Sequence, residues 1–179
     1  MGLMGAAMGD HYDLDGAPSV DLREDADDQR KIRGAILSDT IGNVRRAATV
    51  AVTPQTSVGD TIRAMNAGHV GCALVLQDRK LLGIFTERDV LRKVAGTITD
   101  LDGTPVATVM TREPSTLLES ALIAHALRKM VAEGYRHVPL VDDQHNAIGV
   151  VAVRDLVAWI VALLPETVTT LPPPPKPAG

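Results

Sequence analysis

Two stretches of the chain are copies of each other. Gly83-Ile-Phe-Thr-Glu-Arg-Asp-Val-Leu-Arg-Lys-Val94 recurs 66 residues later as Gly149-Val-Val-Ala-Val-Arg-Asp-Leu-Val-Ala-Trp-Ile160. Each reads as a glycine, a short apolar strand, then a helix with Asp in its first turn. Upstream, at an offset of 65, Val44 matches Val109, Val52 matches Leu117, Val58 matches Ile123, Ile62 matches Leu127 and Met65 matches Met130. The offset grows by one across a hairpin turn, a change that loops tolerate. The copies run over residues 39–93 and 104–159. A chain built this way folds as two equivalent units, each burying its apolar surface against the other.

Periodicity assigns the elements within a copy. Residues 50–52 form a short strand closed by Pro54. Ser57 opens a helix, with Asp60 three residues on at a capping-box spacing. Val58, Ile62 and Met65 share one face of that helix, and Gly68 stops it. Residues 72–76 are a continuous apolar strand, 77–80 a polar turn and 81–85 the hairpin partner. Thr86 then caps a helix reaching Val94. The second copy predicts strands over 115–118, 137–141 and 147–151, with helices over 122–132 and 154–163. Each unit is therefore β-α-β-β-α, and the expected class is α/β (α+β). A three-stranded sheet with helices on one face leaves its other face uncovered, so the expectation is an intertwined pair.

Composition narrows the function. The net charge is −4, and only four residues are aromatic. Residues 10–31 hold eight acids and three bases, so the rest of the chain is close to neutral. That balance lacks the basic stripe and stacking platform of a nucleic-acid binder. The single cysteine, Cys72, rules out an intrachain disulfide and fits a reducing cytoplasm. It opens an apolar strand and reads as core rather than as a redox centre. The longest apolar run, 156–164, is too short to cross a bilayer. The opening Met-Gly segment lacks the pattern of a signal peptide or a myristoylation site. Residues 1–38 read as an acidic, mostly disordered arm with a helix near 27–36. The run of prolines at 172–177 makes 165–179 a polyproline II tail. The two units between these tails are bounded as 39–99 and 100–164.

The pattern resembles the CBS domain, in the tandem arrangement known as a Bateman module. The likeness rests on Gly83-Ile-Phe-Thr-Glu-Arg-Asp89, Gly149-Val-Val-Ala-Val-Arg-Asp155, Met110-Thr-Arg112 and Gly134-Tyr-Arg-His-Val-Pro-Leu-Val-Asp142, and it covers residues 39–163. It implies two repeats packed as a pseudo-twofold disc with two clefts between them. It also implies a regulatory ligand containing adenosine: AMP, ADP, ATP or S-adenosylmethionine. On that likeness the Asp holds the ribose hydroxyls, the Thr lies near ribose and phosphate, and basic residues before the Val-Pro strand meet phosphates. Those roles fall on Thr86 and Asp89 in the first copy, Asp155 in the second, and Arg136 and His137. Homodimerisation, and a separate effector protein, are further implications.

The chemistry is consistent with those roles. A carboxylate accepts from both vicinal ribose hydroxyls at once. Arginine offers a planar fork to phosphate oxygens, and histidine a further donor near neutral pH. Each residue also has a plainer reading. Thr86 and Asp89 have the spacing of a simple helix cap. Arg136 and His137 could be a solvated strand end. Arg88 and Arg154 are equivalent first-turn residues, ordinarily solvated, with Arg88 kept as a candidate contact in the first copy. The other histidines show no ligand spacing, so no metal is expected. There is no phosphate loop of Walker type, nucleophile elbow or paired-carboxylate arrangement, and no catalytic residue or covalent cofactor is predicted.

The copies differ where it matters. Thr86 corresponds to Ala152, and Arg136-His137 to Gly71-Cys72. If each cleft is built across the pair, Thr86 and Asp89 meet Arg136 and His137, while Asp155 meets Gly71 and Cys72. The expectation is one competent nucleotide cleft and one weak or vacant one. The alternative is a ligand-independent dimerisation or scaffold module that docks on an enzyme or transporter.

Overall fold

The structure, a computed structural model, describes residues 22–164, with side chains from 28 onward. The start of the acidic arm and the proline tail lie outside the described residues. The helix expected near 27–36 is longer and forms α1 (Leu22–Ser38). The first repeat contains β1 (Val50–Val52), α2 (Val58–Ala67), β2 (Cys72–Gln77), β3 (Lys80–Thr86) and α3 (Glu87–Asp89), which continues as a π-helix over Val90–Val94. After it come β4 (Thr111–Arg112), β5 (Leu117–Leu118), α4 (Ile123–Glu133), β6 (His137–Val141), β7 (Ala147–Ala152) and α5 (Val153–Val161). Both repeats thus have the β-α-β-β-α order, in a mixed α/β architecture.

Local chemistry explains the element ends. Ser57 Oγ accepts the Asp60 N–H at 3.0 Å and caps α2. Gly68 is the C-cap of that helix but stays right-handed, and the left-handed residue is His69 (φ 50°). Gly134 ends α4 in the left-handed region itself (φ 67°), where a side chain would be strained. In the second hairpin turn, Asp142 Oδ1 accepts the N–H groups of Gln144 and Asn146 at 2.9 and 2.8 Å. The extra residue of this turn is accommodated by that side-chain bridge.

Two sheets result. The first has the order β1-β2-β3-β4, the second β5-β6-β7. In each, the first strand runs parallel to the second, and the second and third form an antiparallel hairpin. The fourth strand of the first sheet was not foreseen. It comes from the segment joining the repeats, where Thr111 pairs with Ile84 and Arg112 with Gly83.

Alternation along the strands sorts side chains into three apolar clusters. Ala73, Val75 and Phe85 face the first repeat's core, while Cys72, Leu74 and Ile84 face the other way and meet Val150 of β7. That middle cluster joins the sheets and covers the faces that each repeat alone would expose. Cys72 is buried there, and its thiol is pushed up to about 12 by burial, so it stays protonated at neutral pH. The core reading of Cys72 holds.

The other two cores exchange segments. Val106, Val109 and Met110, which precede the second repeat's own strands, complete the first core. Ile41 and Val44, which precede β1, complete the second core beside Ile123, Val138 and Leu156. Backbone bonds fix this exchange. Ile41 N–H donates to Ala121 at 2.9 Å and Ile123 N–H to Asp39 at 2.9 Å, while Val106 N–H donates to Thr56 at 2.8 Å. The equivalence of Val44 and Val109 thus marks two segments that each serve the opposite repeat.

Candidate functional site

The sheet-to-sheet packing brings the end of β3 against the start of β6. Between them lies a cavity of about 450 Å³, within the range of small-molecule sites. Thr86, Arg88 and Asp89 line it from the first repeat, and Arg136 and His137 from the second. The structure thus brings Thr86 and Asp89 of the first repeat together with Arg136 and His137 of the second. Asp155 stands apart. It lines a second cavity of only about 20 Å³ with Gly71, Cys72, Ala152 and Arg154. Such a volume admits a single water and no nucleotide.

Thr86 and Asp89 do form the helix cap. Asp89 N–H donates to Thr86 Oγ1 at 3.3 Å, and Thr86 N–H donates to Asp89 Oδ2 at 3.0 Å. They also do more. The Thr86 hydroxyl donates to the same oxygen at 2.7 Å. The other carboxylate oxygen, Oδ1, faces Lys93 Nζ at 2.7 Å and accepts from the Thr111 hydroxyl at 3.2 Å. Lys93 in turn donates to Val109 O at 3.0 Å and Thr111 Oγ1 at 3.2 Å. The carboxylate is buried, and donors from the protein surround it.

In the second repeat Asp155 Oδ2 accepts the Ala152 N–H at 2.8 Å. Ala152 has no hydroxyl to add, and Arg154 Nε stands 3.8 Å from Oδ1. Arg154 also reaches His69 O at 3.4 Å, folding across its own half-site.

The larger cleft is electropositive within an acidic chain. Arg88, Arg92, Lys93 and Arg136 line it against the carboxylates of Glu87 and Asp89. Arg88, Arg92 and Arg136 are exposed and carry no ion pair among the described residues. Ile84, Leu91, Pro114, Tyr135 and Pro139 supply apolar wall. His137 bounds both cavities. Burial pulls its pKa below the ordinary 6.5, opposed by Glu87 and Asp155 and reinforced by Arg154 and Arg136. A Cβ on Gly71 would stand 2.9 Å from the His137 imidazole and 3.2 Å from the Glu87 carboxylate, so a larger residue there would push these side-chain ends aside.

Sequence reasoning missed Arg92, Lys93 and Thr111. The first two had a readable signal, since Arg92 lies four residues after Arg88 and Lys93 four after Asp89. What the sequence could not announce was the π-helix, sealed by Ala95 N–H donating to Val90 O at 2.8 Å. A wider turn places Leu91, Arg92 and Lys93 together on the cleft side.

Two repeats that exchange core segments around such a cleft form a tandem pair. The family model described as "CBS domain" matches residues 41–96 and again 106–162, and the chain belongs to that family. Among curated relatives, the CBS domain-containing protein CBSCBSPB5 of Arabidopsis thaliana is 34% identical over 105 residues. That match spans 58% of this chain but only 19% of the relative. Among solved structures, the CBS domain protein NE2398 is 29% identical, with a TM-score of 0.64 over 69% of this chain and 98% of that one. A CBS domain protein from Pyrobaculum aerophilum, PAE2072, complexed with AMP, is 24% identical, with a TM-score of 0.62 over 70% of this chain and 98% of that one. No helix among the described residues is long and apolar enough to cross a membrane.

Proposed function

We propose that the chain is a regulatory module that binds one adenosine-containing nucleotide in the cleft between its repeats. The observation that carries this reading is the convergence of Thr86, Asp89, Arg136 and His137 on one cavity of about 450 Å³ lined by unpaired guanidinium groups. Asp89 takes the ribose hydroxyls, Arg136 and His137 take phosphate oxygens, and Arg88 and Arg92 extend the anionic end of the cleft. Leu91, Tyr135 and the two prolines offer a face to the base. The AMP bound by PAE2072, a protein of the same fold, agrees with a ligand of this class. Occupancy joins the two repeats, so a ligand that favours one arrangement of the pair reports itself to a partner chain.

A second reading is an association module acting without ligand. It draws on Val153, Val157 and Val161, which leave an exposed apolar stripe along α5 at helical spacing. Homodimerisation through that face is compatible with either reading, as is a separate effector in the cytoplasm.

Thermal denaturation with AMP, ADP, ATP and S-adenosylmethionine at millimolar levels separates them. A true ligand raises the midpoint by an amount growing with its concentration over Kd. No shift with any of the four leaves the association reading.

The pH dependence gives a second check. Because burial lowers the pKa of His137, the folded protein holds it neutral. A bound phosphate favours the protonated ring, so binding takes up a proton. The His137 contribution to AMP affinity therefore rises as pH falls from neutral through the bound-state pKa and levels off below the free-protein value. It is read as the difference between wild type and His137→Gln, because the phosphate itself protonates with a pKa of about 6. Stability without ligand goes the other way. The contribution from neutral His137 is present above 6.5 and is lost as pH falls below it towards the folded-state value. Calorimetric titrations from pH 5 to 8 read both, and His137→Gln removes this histidine's share from each.

A further inference from the structure

We infer that Lys93 sets the ligand specificity of the cleft, admitting phosphorylated nucleotides and turning away neutral or cationic adenosine compounds. This rests on the nucleotide reading above and concerns which member of that class is accepted. The carboxylate of Asp89 already has a donor in every direction. Thr86 supplies two to Oδ2, and Lys93 and Thr111 share Oδ1. A ribose diol cannot join that set without displacing a donor. The Thr86 donors are fixed by the helix cap, and the backbone of Thr111 by its pairing in β4. Lys93 is the donor free to move, because it has a flexible stem and its side chain is 40% exposed.

Moving it has a cost. Lys93 is the cation nearest a carboxylate that is only 10% exposed, and separating such a pair is unfavourable unless the ammonium finds another anion. A nucleotide phosphate supplies one. The cleft already gathers Arg88, Arg92 and Arg136 on its walls, so the anion that attracts them also receives Lys93. Adenosine offers the diol but no anion, and the pair opposes its entry. S-adenosylmethionine brings a sulfonium cation into a cleft with four basic side chains against two carboxylates. Ribose recognition and phosphate recognition are thereby coupled through one side chain. Release of Lys93 also removes its bonds to Val109 and Thr111, which tether the π-helix to the segment joining the repeats.

The test is calorimetric titration of AMP, adenosine and S-adenosylmethionine into wild type, Lys93→Met and Lys93→Arg. Wild type binds AMP at least about tenfold more tightly than either competitor, the worth of a charge-assisted hydrogen bond. In Lys93→Met, AMP weakens while adenosine gains, and the ratio falls to within about threefold. Lys93→Arg keeps the preference. A ratio unchanged in Lys93→Met, or AMP and adenosine weakening in parallel, overturns the role of Lys93 while leaving the nucleotide reading intact. Binding of none of the three by wild type defeats the nucleotide reading, and this role with it. Thermal melts confirm that each variant is folded, and Lys93→Gln replaces the Met variant if that one is not.

Discussion

Replacing Asp89 with Ala should lower AMP affinity by about ten- to a hundredfold, whereas Asp155→Ala should leave it within about twofold. The first figure follows from one hydroxyl-to-carboxylate bond in the place Lys93 vacates, worth roughly 1.5–3 kcal/mol when the acceptor is charged. The second follows from volume, since a cavity of about 20 Å³ beside Asp155 has no room for a nucleotide. Asp89 also holds the Thr86 cap, so its loss costs stability as well, typically about 1 kcal/mol for a cap. Affinity and stability must therefore be measured together. Asp89→Asn is the sharper variant, because it keeps the size and one acceptor oxygen while removing the charge. Isothermal titration at fixed salt, with a thermal melt of each variant, decides the matter. Equal losses from the two sites would mean that the asymmetry between the repeats does not control binding.

That asymmetry is legible in the sequence because a repeat provides its own control. Thr86 against Ala152, and Arg136-His137 against Gly71-Cys72, are differences between positions that the fold makes equivalent. The structure gathers the well-furnished half-sites into one cavity and leaves the poorer pair almost closed. Strand β1 falls at 50–52 as periodicity predicts, and the β2–β3 hairpin extends its expected strands by only a residue at some ends. Three things were not legible, each for a physical reason. The π-helix after Asp89 is held by i→i+5 bonds such as Ala95 N–H to Val90 O, which leave no mark on apolar spacing. The contact of Arg154 with His69 beside the Asp155 site joins the two repeats and is a tertiary choice. The internal partners of Asp89 include Thr111 from a strand supplied by the connecting segment, and no local pattern reports that contact.

The exchange of core segments leads to the other large effect. Ile41→Ala destabilises the protein by about 2–5 kcal/mol, the range for truncating a buried isoleucine. The damage appears in the second repeat, although Ile41 precedes the first. Ile41 is fully buried among Ile123, Ala126, Met130, Val138, Leu140, Val151 and Leu156, all from α4, β6, β7 and α5. The cavity therefore opens beneath β6, and amide hydrogen exchange should quicken in β6 and α4 before β2 and β3. Val106→Ala is the mirror experiment. Val106 precedes the second repeat but packs with Val58, Val75 and Phe85, so its truncation loosens β2 and β3 first. The opposite pattern in either variant would show that each core is built from its own repeat alone. On the proposed nucleotide binding, the consequence reaches the cleft. Arg136 and His137 stand at the entry to β6, while Thr86 and Asp89 belong to the first repeat. A nucleotide bridging them gains affinity only while both cores hold their strands in place. Ile41→Ala should thus weaken AMP binding without touching the cleft, and saturating AMP should slow exchange in β6 back towards the wild-type rate.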